Sequence, residues 1–192
     1  MNTIARACLV LMAGGAGAGK TYISRELVRR VANAVLLDKD RLLGPWVDRV
    51  LTAVGADVDR DSEYYWQRVR PEEYVTLETI AYDHLMLGKV VVIDAPLRPE
   101  LENPAWLERV RGECEARGAG LVPVWVVASP ETARRRLRVR GESRDRWKLE
   151  HWTEFLARRP YDTPSGASLV VRNDERDSVE RVLDAVLRAI MG

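Results

Sequence analysis

Residues 14–21 read Gly-Gly-Ala-Gly-Ala-Gly-Lys-Thr, which satisfies G-x-x-x-x-G-K-[ST]. On one side lies Cys8 to Ala13, an uninterrupted apolar run of the kind that forms a strand covered on both faces. On the other, Tyr22 to Val31 spaces Ile23, Leu27 and Val31 four residues apart, as one stripe of a helix. A chain that passes from buried strand to helix through so many glycines turns its backbone N–H groups inward around an anion, and the helix adds its positive end. The spacing therefore commits the chain to an α/β fold built around a strand–loop–helix unit. Gly15, Ala16, Gly17, Ala18, Gly19, Lys20 and Thr21 become the candidate nucleotide-binding residues. Lys20 supplies a point charge for the β- and γ-phosphates, and Thr21 offers a hydroxyl to Mg²⁺. A glycine-rich turn with an incidental Lys-Thr is the alternative, but it does not account for the strand before and the helix after.

The rest of the chain repeats that alternation. Further β-branched apolar runs span Ala34 to Leu37, Val90 to Ile93, Leu121 to Val127 and Ser168 to Val171. Between them, Pro71-Glu72-Glu73 opens a helix that sets Tyr74, Leu77, Ala81 and Leu85 on one face and stops at Gly88. Asn103-Pro104 opens another, with Leu107, Val110 and Cys114 inward and Gly118 past its end. Ser129-Pro130-Glu131 opens a third. Asp177 and Glu180 read as a capping box ahead of the stripe Val179, Val182, Leu183, Val186, Leu187 and Ile190. Strands alternating with helices predict a three-layer, doubly wound parallel sheet.

Three further features point to chemistry. After the second run comes Asp38-Lys39-Asp40-Arg41, two carboxylates at the sheet edge where ligands of open α/β folds collect. One of them, with Asp40 preferred, can accept the proton of an acceptor hydroxyl; the other reading is a cap for the following helix. Asp94 ends the run Val90 to Ile93 and is a candidate for Mg²⁺ or for positioning the acceptor; its plainer reading is a loop carboxylate bonding backbone amides before Pro96. From Arg134 to Lys148 stand eight basic residues, Arg144 among them, against Glu142 and Asp145. Arg136 and Arg140, four apart on one face, are the candidates to close over a triphosphate, while a solvated helix face explains part of the run.

Composition narrows the function classes. At 192 residues, 46% hydrophobic and 31% charged, the chain is expected to fold as one domain over residues 1–192. Lys plus Arg number 30 against 29 Asp plus Glu, so no whole-molecule field draws the protein to nucleic acid or to a membrane. No apolar run reaches the ~18 residues of a membrane span. Ala7 to Ala13 after Arg6 could pass for a short secretory signal, but the glycine-rich loop explains that stretch better. Cys8 and Cys114 lie in apolar surroundings without a C-x-x-C, which predicts a reduced, cytoplasmic protein. His84 and His151 lack partners at metal-ligand spacing and read as structural.

With phosphate loop, Asp38/Asp40, the strand ending in Asp94-Ala95 and the segment Arg136-Leu137-Arg138-Val139-Arg140-Gly141 in view, the chain resembles the P-loop kinases. The resemblance is to the branch of polynucleotide kinases, zeta-type toxin kinases and chloramphenicol phosphotransferase. It implies a five-stranded sheet of order 2-3-1-4-5 and an Arg-rich helical lid over about residues 134–150. It also implies an acceptor-side flap over about residues 44–70. By the same resemblance Lys20 and Thr21 handle phosphate and magnesium, Asp40 is the acceptor-activating carboxylate, and Arg136 and Arg140 are lid arginines. Several relatives carry an Arg three residues after that Asp. Here the position is Leu43, and Arg41 is the candidate to take its place. The stretch from Gly44 to Pro71 mixes Trp46, Tyr64, Tyr65, Trp66, Arg68 and Arg70 with Asp57, Asp59, Asp61 and Glu63. Of these, Tyr65, Trp66 and Arg70 are the candidates to touch a ring-bearing acceptor, although most aromatic residues serve packing.

The expected activity is transfer of the γ-phosphate of ATP, with Mg²⁺, to a hydroxyl of a small molecule such as a nucleoside, a sugar or an antibiotic-like compound. Nothing in the sequence separates ATP from GTP. Two alternatives stand beside it. A polynucleotide 5′-hydroxyl kinase needs a basic track, and none is found outside the lid. A nucleotide-dependent switch that transfers nothing needs no acceptor carboxylate.

Overall fold

A computed structural model describes residues 5–58, 60, 62–142, 145–158, 161–175 and 178–191. Asp59, Asp61, Arg144 and Asp177 lie outside the described residues, and with them part of the expected flap, lid and capping box. Strands β1 (Cys8–Gly14), β2 (Ala34–Asp38), β3 (Val90–Asp94), β4 (Gly120–Val127) and β5 (Leu169–Arg172) form one sheet of order β2-β3-β1-β4-β5. Every pairing is parallel. The expected class and strand order are those observed.

The sheet is continuous and apolar because helices cover both faces. Odd and even residues of β1 divide between two cores, as alternation along a strand requires. Cys8, Val10 and Met12 pack against α1 (Lys20–Arg30) and α9 (Ser178–Met191) through Ile23, Leu27, Val182, Leu183, Val186 and Ile190. Leu9, Leu11 and Ala13 face α3 (Arg70–Met86) and α5 (Pro104–Glu115) through Tyr74, Leu77, Ala81, Leu85, Val110 and Cys114. Both cysteines are unpaired and buried. Burial pushes the Cys8 thiol up to about 12 and that of Cys114 to about 11, so neither is a ready nucleophile. Among the described residues no helix is long and apolar enough to cross a membrane.

Caps fall where the side chains allow. Asn103 accepts from the amides of Ala105 and Trp106 at 3.1 and 3.2 Å, and Ser129 accepts from Thr132 N at 3.2 Å. A short helix α4 (Arg98–Leu101) precedes α5. The expected lid contains α6 (Pro130–Arg140), which ends at Gly141 in the left-handed region (φ 65°), and α7 (Arg146–Glu150); α8 (Trp152–Ala157) follows.

The largest departure lies between residues 39 and 71. α2 (Lys39–Ala53) runs straight through Gly44 and Pro45, so the stretch from Gly44 onward, expected as an acceptor-side flap, begins as helix. Burial of Val47 and Leu51 against Tyr65 and Val69 outweighs the weak local propensity. Pro71 does not open its helix on a loop either. A π-helical segment, Tyr65–Val69, feeds into α3, with Arg70 N–H donating to Tyr65 O five residues back. The wide turn ends just before Pro71, which has no N–H to donate.

Candidate active site

The carboxyl ends of β1, β2 and β3 bring the glycine-rich loop, Asp38 and Asp94 to one edge. Gly14 ends β1 with φ 152°, and a Cβ there would come within 2.4 Å of Val126 O, so glycine lets β1 and β4 approach. Gly17 and Gly19 take left-handed φ values of 77° and 93°, which turn the loop back toward the N-terminus of α1. Lys20 Nζ donates to the carbonyls of Gly14 at 2.8 Å and Gly15 at 3.1 Å, so its charge lies along the loop.

Asp38 and Asp94 are the last residues of β2 and β3 and stand opposite each other in register. Asp94 is almost wholly buried, and its Oδ2 has no hydrogen-bond partner. Burial pushes its carboxyl up to about 6 against the pull of Lys20 and a hydrogen bond with Thr21, while Asp38 and Asp40 raise it further. A buried, unsatisfied carboxylate oxygen beside a hydroxyl is the donor set a divalent cation completes, so Thr21 and Asp94 fit Mg²⁺. Among the described residues no group of three or more His, Cys, Asp or Glu could hold a metal by itself.

Asp38 caps α2, accepting from Arg41 N at 3.2 Å, and Arg25 Nη2 lies 3.8 Å from its Oδ2. Asp40 follows in the first turn, partly exposed. Two cations converge on its Oδ1, Arg60 Nη1 at 3.3 Å and Lys39 Nζ at 3.7 Å. Arg60 also reaches Asp48 Oδ1 at 3.0 Å and Gly44 O at 3.4 Å. A Cβ at Gly44 would stand 3.1 Å from Arg60 Nη2, so the glycine inside α2 gives the guanidinium its seat. The side chain of Arg41 is exposed.

Lys39, expected only as a neighbour of the two aspartates, is buried. Its Nζ donates to Glu73 Oε1 at 2.8 Å and Tyr65 Oη at 3.3 Å, and Tyr65 Oη donates to Glu73 Oε2 at 2.7 Å. The structure thus holds Tyr65 inside this network, 5% exposed. Burial and Glu73 push its phenol upward, so it stays protonated and donates. Arg70 pairs with both oxygens of Glu100 at 2.6 and 2.8 Å. Its guanidinium lies 4.4 Å from the ring centroid of Tyr74 and 4.7 Å from that of Trp66, which is half exposed.

The two arginines expected in a lid part company. Arg136 Nη1 reaches the phosphate loop, 3.1 Å from Ala18 O and 3.4 Å from Gly17 O; burial, then Arg135, lowers its proton affinity. Arg140 Nε instead donates to the buried Asp145 at 2.8 Å, across the turn at Gly141. Arg135 and Arg138 are exposed. His84 and His151 place Nδ1 at 2.8 and 3.1 Å from the carbonyls of Ile80 and Trp147.

Sequence reasoning missed Lys39, Arg60, Glu73 and Glu100, and also Tyr161 and Asn173, whose side chains touch the loop. Most of their partners lie a dozen to more than a hundred positions away, so no local spacing announces them. The one usable signal is the glycine inside α2.

Residues 9–161 match the AAA domain family. The chain belongs to this family. None of the curated proteins matches the AAA-domain chain in sequence. Its fold is similar to that of the Mycobacterium tuberculosis APS kinase CysC, solved with AMPPNP and APS (TM-score 0.63, 17% identity, 98% of this chain and 99% of that one). It is also similar to Chaetomium thermophilum Kti12, solved with ADP-AlF3 (0.62, 15%, 96% and 100%). A sugar kinase from Janibacter sp. gives 0.60 at 12% identity over 95% and 93%. The AAA-domain chain therefore has a P-loop, kinase-like fold.

Proposed function

We propose that this protein is an ATP-dependent kinase that transfers the γ-phosphoryl group to a hydroxyl of a small molecule, a nucleoside, sugar or antibiotic-like acceptor. The observation that carries the reading is Asp40, whose partly exposed carboxylate has two cations on one oxygen, at the sheet edge that also holds Lys20, Thr21 and Asp94. A switch protein has no need of such a carboxylate, and an acceptor hydroxyl does. The placement of this chain in the polynucleotide kinase and chloramphenicol phosphotransferase branch belongs to the same proposal.

Loop amides and Lys20 grip the polyphosphate and neutralise charge as the β–γ bridging P–O bond lengthens. Asp40 accepts a hydrogen bond from the acceptor hydroxyl and takes its proton as the new O–P bond forms, leaving ADP and a phosphate ester. Thr21 and Asp94 would hold Mg²⁺, which would supply positive charge to offset that of the phosphates. Arg136 sits at the loop and adds positive charge there. Trp66, half exposed and backed by the paired Arg70, offers a flat ring face to a ring-bearing acceptor.

The test is incubation with γ-labelled ATP, Mg²⁺ and a panel of nucleosides, sugars, hydroxylated antibiotics and 5′-hydroxyl oligonucleotides. Label in a small acceptor supports the reading. Label only in oligonucleotides transfers it to a polynucleotide kinase, and label only in free phosphate removes the kinase assignment.

A further inference from the structure

Backbone carbonyls from Gly14 to Ala18 each meet a donor, and three of the five are met by side chains from remote parts of the chain. Tyr161 Oη donates to Ala16 O at 3.0 Å. Arg136 donates to Gly17 O and Ala18 O, and Asn173 Nδ2 donates to Ala18 O at 2.8 Å. In a planar trans peptide the C=O of one residue and the N–H of the next point to opposite sides. A carbonyl pinned outward therefore fixes the following amide inward.

We propose that Asn173 and Tyr161 are positioning residues of the phosphate loop, holding Ala18 O and Ala16 O so that the amides of Gly19 and Gly17 already face the polyphosphate. Three observations support this. A Cβ at Gly19 would stand 2.4 Å from Asn173 Nδ2 and 3.4 Å from Arg136 Nη1. That glycine thus admits these donors as well as supplying its left-handed turn. Asn173 is 2% exposed and is anchored by its own N–H, which donates to Val127 O at 2.8 Å, so the ends of β4 and β5 fix its amide in advance. Tyr161 packs edge-on against Phe155 of α8, centroids 6.2 Å apart at 85°, so its hydroxyl is carried on the helices that follow the lid arginines. Donors aimed before the ligand arrives need no ordering on binding, which is where preorganised sites gain affinity.

This inference rests on the loop being the polyphosphate site of the proposed kinase, and its test needs no acceptor. Isothermal titration calorimetry of wild type, Asn173→Ala and Tyr161→Phe uses two probes, Mg·ATP and magnesium-free inorganic tripolyphosphate. The temperature is kept well below each variant's melting midpoint. One lost hydrogen bond to the loop predicts about 10-fold weaker binding for Asn173→Ala and roughly 3-fold for Tyr161→Phe, with the same factor for both probes. Unchanged affinities, with only the melting point lowered, overturn the proposal, because a merely structural contact acts there. A loss for ATP without one for tripolyphosphate also overturns it. Should Asn173→Ala not fold, Tyr161→Phe and Asn173→Ser decide by the same readout. Weakened polyphosphate binding in a protein that labels no acceptor keeps this inference and removes the kinase reading. Normal binding by the variants of an active kinase does the reverse.

Discussion

The phosphate loop and the proposed acceptor side beside it are built from different materials. Residues 14–21 present backbone: Gly17 and Gly19 turn the chain, and Lys20, Tyr161, Arg136 and Asn173 hold its carbonyls. The proposed acceptor side presents paired charge: Lys39 with Glu73 and Arg70 with Glu100, both buried or nearly so, and Arg60 on the more exposed Asp40 and Asp48. Backbone amides recognise what every nucleoside triphosphate shares, whereas side-chain networks can be rebuilt for a new acceptor without moving the sheet. Substitutions at the loop should therefore damage activity with little loss of fold. Those in the acceptor network should damage fold first.

The largest contrast is expected between Lys20→Ala and Glu73→Ala. The first removes the loop's point charge and lowers phosphate transfer roughly 10³-fold, with the melting curve nearly unchanged. The second leaves the Lys39 ammonium, 2% exposed, without its carboxylate. It should lose about 3–5 kcal/mol in urea unfolding, whereas the triple change Lys39→Met, Glu73→Leu, Tyr65→Phe comes close to neutral. Equal melting losses for Lys20→Ala and Glu73→Ala would erase the distinction.

Asp94 belongs to both halves, and pH separates its roles. Its folded carboxyl sits at about 6, above the ordinary 3.8, so the folded state binds the extra proton between roughly pH 4 and 6. The stability this gives is complete below the ordinary value and lost as pH rises through about 6. Asp94→Asn, which cannot ionise, should thus be about 3 kcal/mol more stable than wild type at pH 8 and equal to it at pH 3, since each tenfold change in proton affinity is worth ~1.4 kcal/mol. Transfer activity should fall ~10²-fold, since Asn is a poorer cation ligand. A variant less stable than wild type at pH 8 would contradict the burial argument.

The smallest effect is expected at Gly44→Ala. Alanine ordinarily favours a helix interior by ~1 kcal/mol, but the new methyl would press on Arg60 Nη2 at 3.1 Å. A gain of much less than that, with higher KM for the acceptor, supports the seat argument; a full gain with unaltered kinetics refutes it.

How much of this was legible in the sequence follows the same division. The loop could be read because its function lies in eight contiguous residues, and the strand order followed from the family those residues resemble. Asp38 and Asp94 were legible as strand-end carboxylates because apolar runs stop at them, and Asp40 as the acid two residues past the first. Glu73 was read only as part of the helix start Pro71-Glu72-Glu73, and the partner at Lys39 explains its burial. Tyr65 and Arg70 were read as substrate contacts from residue type, while tertiary pairing with Glu73 and Glu100 decides where their polar groups go. α2 was obscured by Gly44 and Pro45, whose local preference is overridden by the packing of Val47 and Leu51.

The central claim, an acid that readies a hydroxyl beside a loop that grips the triphosphate, is tested most directly in Asp40→Asn. With an acceptor found in the labelling panel, ATP affinity is titrated and transfer timed on the same preparation. The account predicts wild-type affinity with transfer reduced by roughly 10²- to 10⁴-fold. Transfer that continues at the wild-type rate would contradict it.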